Sequence, residues 1–265
     1  MKKKVSVIGH GVIGKAVRKL FFGKDVIGGV AVYDISNKLL CNSEREEEVN
    51  KSDFAFVCVP TPHNRYDGLD MSIVEKAVLK FTSKIFIICS ALQPGTADGL
   101  RKKYKKRIVV QPEYFGETVE HPLTQLGDQK FLILGGEKED VKEVIGLYQN
   151  VYNANIRIRR VSALEAEVIK LSENRAIAYK VAQCQELYDV CQAANLDYET
   201  IRQAVYGDDP RFNLWWTWIY EENRGFNSKC IPKDVYGWCK WGQDNNVNPR
   251  LTKDLLEYND GLING

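Results

Sequence analysis

The chain has 265 residues, of which 44% are hydrophobic and 27% charged, and a net charge of +2. That balance belongs to an ordinary globular protein of one large or two modest domains and gives no electrostatic case for a nucleic acid polymer or a membrane surface. The seven cysteines (Cys41, Cys58, Cys89, Cys184, Cys191, Cys230 and Cys239) include no CxxC pair and the three histidines are dispersed, so neither a disulfide framework nor a metal site is expected.

The basic start, Met1 to Lys4, leads into VSVIG, but the apolar run breaks at Gly9-His10-Gly11 and no later span approaches transmembrane length. A cytoplasmic protein is therefore expected. Val5 to Ile8 predicts a strand, Gly9-His10-Gly11-Val12-Ile13-Gly14 a glycine turn, and Lys15 to Phe22 a helix with apolar Ala16, Val17, Leu20 and Phe21 on one face. A GxGxxG turn alone is a weak signal, since it also serves simply to pack a helix on a sheet. Here a second strand, Gly29 to Tyr33, ends in Asp34, 20 residues after Gly14, where a carboxylate bonds a ribose 2′-hydroxyl and would repel a 2′-phosphate. NAD is the expected cofactor, with Gly9, Gly11, Val12, Ile13, Gly14, Asp34, Lys38, Pro60, Thr61 and Thr96 as its expected contacts.

Further strands are predicted at Asp53 to Val59, Lys84 to Cys89, Arg107 to Val110 and Phe131 to Leu134, alternating with helical stretches such as Met71 to Phe81 and Thr96 to Tyr104. The alternation implies α/β architecture, a Rossmann-like doubly wound parallel sheet over residues 1–160 with cofactor at the C-terminal strand ends. Three of those ends carry polar groups: Pro60-Thr61-Pro62, Ser90 through Thr96, and Gln111 through Glu117. Turn chemistry explains the first two equally well, and Glu113 and Glu117 read by default as solvated loop acids.

Ser162 and Glu165 form a capping box, after which helical periodicity runs without Gly or Pro to about Ala194, on the order of 45–50 Å. This long helix is expected to be the spine of an all-helical second domain, residues 161–265. Lys170 and Asn174 share one face of it, Glu167 lies a turn earlier, and that face is either solvated or a pair of donors for an oxyanion. Asp197 to Tyr206 reads as a short helix, and the Trp215-Trp216-Thr217-Trp218 cluster as core or interface packing ahead of base stacking. In GFNSKCIPKD, Gly225 to Asp234, two lysines make an electropositive setting for Cys230, and the proline is expected to interrupt regular structure. Cys230 is either a small buried hydrophobe or an activated nucleophile. Two amphipathic helices, Val235 to about Asn245 and Leu251 to Ile263, finish the chain.

Taken in order, these pieces resemble the UDP-glucose/GDP-mannose dehydrogenase family over nearly the whole chain. The motifs are the glycine turn, Val57-Cys58-Val59-Pro60-Thr61-Pro62, Gln93-Pro94-Gly95-Thr96, the PEF-like segment with Glu113 and Glu117, the helix Glu165 to Asn174, and Cys230 to Asp234. The resemblance implies a four-electron oxidation of a sugar C6 alcohol to a carboxylate with two NAD⁺, in a homodimer built on the long helix, with a nucleotide sugar as substrate. It implies that Cys230 forms a thiohemiacetal and then a thioester, that Lys170 and Asn174 stabilise the oxyanions, that Thr96 and Asp234 hold a water serving in proton removal, that Glu117 assists thioester hydrolysis, and that Glu113 lies near the sugar and the lysine. Family members usually carry a third, Rossmann-like domain after the helical one, and a glycine-rich run where this chain has Asn227-Ser228-Lys229. Two other readings compete: a β-hydroxyacid dehydrogenase, which shares the domain order and a KxxxN helix pair, and an NAD-binding sensor or partner subunit.

Overall fold

The computed structural model describes residues 2–64, 67–115, 129–149, 151–152 and 156–264. In chain order its first elements are β1 (Lys3–Ile8), α1 (Val12–Phe21), β2 (Ile27–Tyr33), α2 (Ser43–Asn50), β3 (Phe54–Val57), β4 (His63–Asn64), β5 (Gly68–Leu69), α3 (Ser72–Lys80) and β6 (Ile85–Ile88). These lead to α4 (Thr96–Tyr104), β7 (Ile108–Val110), β8 (Phe131–Gly136), α5 (Lys138–Tyr148), β9 (Arg157–Val161), α6 (Ala163–Ala193), α7 (Tyr198–Arg202), α8 (Ile231–Asp244) and α9 (Arg250–Asn264). They form two compact units: Met1–Pro62 with Asp70–Lys170, and His63–Leu69 with Leu171–Gly265.

The first unit is a seven-stranded sheet in the order β2-β1-β3-β6-β7-β8-β9. Its central strands are continuous apolar runs because both faces are covered. On one face Val7, Phe54, Phe56 and Ile87 pack with Val17 and Phe21 of α1 and Val144 of α5. On the other, Ala55, Val57, Phe86 and Ile88 pack with Val49 of α2, Val78 of α3, Leu100 of α4 and Ala166 at the start of α6. The sheet is parallel from β2 through β7, but β8 runs antiparallel to β7 and β9 parallel to β8. The doubly wound parallel sheet expected from the alternation is present, with β8 and the β9 paired to it reversed among the described residues. Apolar composition marks a buried strand without encoding its direction, which depends on the path by which the chain returns.

The second unit packs Ala178 and Ala182 of α6, Val235 and Cys239 of α8, and Leu255 and Leu256 of α9 around Phe226. It is not purely helical: β4 and β5 form an antiparallel hairpin that packs on α8. The expected capping box opens α6, with Ser162 Oγ accepting from Glu165 N at 3.2 Å and Glu165 Oε2 accepting from Ser162 N at 2.7 Å. The short helix α7 continues into a π-helical turn, Gln203–Asp208. In the tryptophan segment Thr217 is fully buried, whereas Trp215 is 40% exposed and meets Trp218 edge-on at 6.0 Å. One helix boundary differs in a way that matters chemically. α8 begins at Ile231, so Pro232 lies in its first turn instead of interrupting regular structure, and its missing N–H is one that no helical carbonyl needs. Among the described residues no helix is long and apolar enough to cross a membrane, and no three His, Cys, Asp or Glu side chains gather as a metal site.

Candidate functional site

In the first unit β1 lies between β2 and β3, which makes its C-terminal end the topological switch point of the sheet. The glycine turn sits there. Gly9 has φ +94°, and a Cβ on it would stand 2.5 Å from the Cys58 carbonyl oxygen, while a Cβ on Gly14 would stand 1.9 Å from the Gly9 oxygen. A Cβ on Gly11, by contrast, would meet nothing within 4 Å. Two glycines are therefore demanded by the fold, and the middle one opens a cradle against which a pyrophosphate can approach the backbone. No side chain caps α1 at Gly11, which leaves its first amides to an anion. Val12 is 41% exposed at this end and Ile13 half-buried.

Asp34 is fixed at the end of β2, where its carboxylate accepts from His10 N at 2.6 Å and Ser36 N at 2.8 Å. Burial, with Lys15 and Arg18 nearby, pulls the His10 imidazole below its ordinary range. Lys38 is exposed in the following loop. Sequence reasoning missed its neighbours Ile35 and Leu39, which are 80% and 81% exposed. Two apolar side chains in a polar loop beside the ribose carboxylate were the available signal, and they suit the flat faces of an adenine. The cradle, the uncapped helix and the carboxylate together fit a dinucleotide.

The next strand ends are tied to one another. Ser90 Oγ donates to the Val59 oxygen at 2.7 Å, Thr61 is buried and Pro60 is exposed. Cys58 and Cys89 continue β3 and β6, and the Cys89 thiol is pushed well up by its hydrogen bond to Cys58 and by burial. Thr96 opens α4 and spends its hydroxyl proton on the Gln93 oxygen at 2.5 Å, so toward a ligand it can only accept. The amides at this helix end are taken: Glu167 Oε2 accepts from Gly95 N at 2.6 Å and Oε1 from Ala97 N at 2.8 Å. Burial raises the Glu167 carboxyl to about 7 against the pull of those two amides. Glu167 is thus a cap supplied by α6 across 70 residues of sequence, a partnership no local pattern reveals.

Glu113 is no solvated loop acid. It is 5% exposed, Oε1 accepts from Gln111 Nε2 at 2.6 Å, and Oε2 is buried with no hydrogen-bond partner among the described residues. Tyr148 OH donates to Gln111 Oε1 and fixes that amide's orientation. Burial raises the Glu113 carboxyl to about 7, opposed by the Gln111 hydrogen bond and the Lys170 charge. Lys170 is half-buried with Nζ 5.0 Å from the centre of the Tyr114 ring, so in this unit an acid able to hold its proton near neutrality and an ammonium belong to one electrostatic group. Glu117 lies outside the described residues.

In the second unit the thiol is presented by a helix start. Cys230 is exposed at the N-cap of α8, and Ser228 Oγ accepts from Ile231 N at 3.2 Å, capping that end. The positive end of the helix, with Lys229 and Lys233 as sequence neighbours, gives this position an electropositive setting. One turn on, Asp234 is 0% exposed, with Oδ2 accepting from Asn174 Nδ2 at 2.6 Å and Oδ1 lying 3.3 Å from Lys233 Nζ. Asn174 therefore commits one amide N–H to Asp234 and keeps one. His63, carried in by the β4–β5 hairpin, stacks on Tyr236 at 5.6 Å. Burial and Lys233 draw its imidazole down while Asp234 draws it up. Its place after Pro60-Thr61-Pro62 was visible in the sequence, but its assignment to this unit was not.

The expected residues thus fall in two groups. The cofactor contacts, Thr96, Glu113 and Lys170 belong to the first unit, while Asn174, Cys230 and Asp234 belong to the second.

Two family models match the chain. The NAD binding domain of the UDP-glucose/GDP-mannose dehydrogenase family matches residues 29–154, and the central domain of the same family matches residues 164–261. UDP-glucose 6-dehydrogenase of Rhizobium meliloti is 22% identical over 97% of this chain and 67% of its own length. The Campylobacter jejuni enzyme of the same name is 26% identical over 75% of this chain and 51% of its own, so the chain spans between about half and two thirds of these relatives. Among solved structures, a UDP-glucose dehydrogenase from Pyrobaculum islandicum superposes with a TM-score of 0.80 at 20% identity, covering 98% of this chain and 68% of that one. A 3-hydroxyisobutyrate dehydrogenase from Mycobacterium tuberculosis gives 0.72 at 13% identity, covering 97% and 93%. These superpositions show the fold.

Proposed function

This chain belongs to the UDP-glucose/GDP-mannose dehydrogenase family, and on that premise we propose that it oxidises the C6 alcohol of a nucleotide sugar to the uronic acid. The family's NAD binding domain makes NAD its cofactor. The observation that carries the reading is the turn at α8: an exposed thiol at a helix N-terminus, with a fully buried carboxylate held by Asn174 one turn away. A fold devoted to hydroxyacid oxidation, a single two-electron step, has no use for that thiol.

Bound NAD⁺ supplies the hydride acceptor for both oxidations. The Cys230 thiolate adds to the carbonyl carbon of the aldehyde, forming a C–S bond and an alkoxide, the thiohemiacetal. Its two-electron oxidation leaves a thioester, and water then breaks the C–S bond, releasing the carboxylate and returning the thiol. Lys170 and the remaining Asn174 N–H are donors for the oxyanions. The family resemblance assigns Asp234 and Thr96 each a part in removing the alcohol proton, Thr96 as acceptor only. Glu113, raised to about 7 by burial and opposed by the Lys170 charge, lies near the sugar and that lysine in the resemblance. Glu117 serves thioester hydrolysis, and the working particle is a homodimer.

The test is Cys230→Ser assayed for NADH and acid across UDP- and GDP-sugars. The expected result is loss of acid formation with NAD affinity retained. Full oxidation to the acid by the serine variant would overturn the thioester route, and no turnover of any sugar by the native chain with normal NAD binding would favour a sensor or partner subunit.

A further inference from the structure

The approach to the thiol is held at two points by helices. Arg224 donates from Nε to Gln185 Oε1 and from Nη2 to Asp189 Oδ1 at 2.8 Å, both on α6, and its guanidinium lies 4.9 Å from the centre of the Tyr188 ring. Two residues on, α9 grips the backbone itself. Asn259 Oδ1 accepts from Phe226 N at 2.7 Å and Asn259 Nδ2 donates to the Phe226 oxygen at 3.2 Å. Asn259 is 4% and Phe226 3% exposed, so water replaces neither bond. Between the two anchors Gly225 has φ +78°, and a Cβ on it would stand 2.5 Å from Asn259 Oδ1. Only Asn227, Ser228 and Lys229 separate the grip from Cys230. With Phe226 fixed on one side and the Ser228 cap on the other, little slack remains in the register at which Cys230 enters α8.

Asparagine is poorly suited to a helix interior and costly to bury unless its amide is satisfied. Here its planar carboxamide pairs with both groups of one peptide residue, which a carboxylate can half-match and an isosteric leucine cannot match at all. We propose that Asn259 is a positioning residue for Cys230: by clamping Phe226 it sets the conformation of residues 225–229 and keeps the thiol at the N-cap of α8. The proposal rests on the reading of Cys230 as the nucleophile. The charged groups around this turn are Lys229, Lys233 and Asp234, with His63 on the hairpin packed against α8. Arg175 of α6 and Lys253 of α9 act further along the helix, at Cys239.

The measurement is the rate of Cys230 alkylation by iodoacetamide in the full chain, read by mass spectrometry across about pH 6 to 10, the range in which a thiol of ordinary or lowered pKa ionises. In N259L the midpoint moves up and the neutral-pH rate falls about threefold, the size of a charge interaction at a helix end. N259D keeps the acceptor for Phe226 N–H and stays near the native profile, and NADH formation in N259L falls in kcat with KM for NAD unmoved. An N259L midpoint equal to the native one overturns the proposal. Should N259L unfold, seen as alkylation of buried Cys239, then Gly225→Ala, which crowds the clamp from the loop side, must raise the midpoint, and an unmoved midpoint there overturns it equally. Because the readout is thiol ionisation, failure of the clamp leaves the nucleophile reading standing. Acid formation by Cys230→Ser would overturn that reading without moving this profile.

Discussion

Glu113 shows how burial turns an ordinary carboxyl into a group that titrates near neutrality. Its folded-state value is raised from 4.5 to about 7, so its contribution to stability is fully present below the ordinary value and is lost as pH rises through about 7. Across that window the penalty grows toward about 3 kcal/mol, the full value of the shift, as the buried carboxylate takes up its charge. Glu113→Gln keeps an acceptor for Gln111 and cannot ionise. We expect the variant to match the native chain in urea denaturation at about pH 5 and to exceed it by about 1–3 kcal/mol at about pH 8. Equal stability at both would place the charge in solvent. The sequence showed two acids four residues apart, but separation along the chain says nothing about burial. That one of them lies behind Gln111 and Tyr148 depends on β7 and α5 meeting.

At the scale of elements, α8 presents an exposed thiol at its N-cap. GFNSKCIPKD was legible as a cysteine set among lysines and a carboxylate, which left Cys230 either a buried hydrophobe or a nucleophile, and its proline pointed to a broken loop. Pro232 instead occupies the first turn, and Ser228 supplies the cap. Since Cys230 holds the N-cap position and Ser228 accepts from Ile231 N from two residues before it, Ser228→Ala should lower stability by about 0.5–1.5 kcal/mol, the net worth of one hydrogen bond. Thermal unfolding followed by circular dichroism checks this, and an unchanged Ser228→Ala midpoint would mean the cap bond is not made in solution. The long helix α6 was readable from its capping box and unbroken periodicity, because those signals are local. Its second duty, capping α4 through Glu167, was not, since the partners are 70 residues apart.

For the whole molecule, linkage gives the clearest expectation. A ligand bound only by the folded chain adds RT ln(1 + [L]/Kd), about 2.7 kcal/mol at one hundred times Kd. NAD should raise the unfolding midpoint accordingly, while NADP at the same concentration should raise it far less, because its 2′-phosphate meets Asp34. Differential scanning calorimetry with each cofactor distinguishes them, and equal shifts would remove Asp34 from the ribose site. The sequence by itself determined the dinucleotide turn, the alternation of strand and helix, the long helix and the thiol segment. Each of these is written in spacings of a few residues, through the steric needs of glycine, the 3.6-residue period and the chemistry of helix caps. Tertiary structure alone decided the reversal of β8, the burial of Glu113, the passage of the His63 hairpin into the second unit, and the grip of Asn259 on Phe226. Those features depend on contacts between residues far apart in the chain, and composition and periodicity carry no term for which distant surfaces meet.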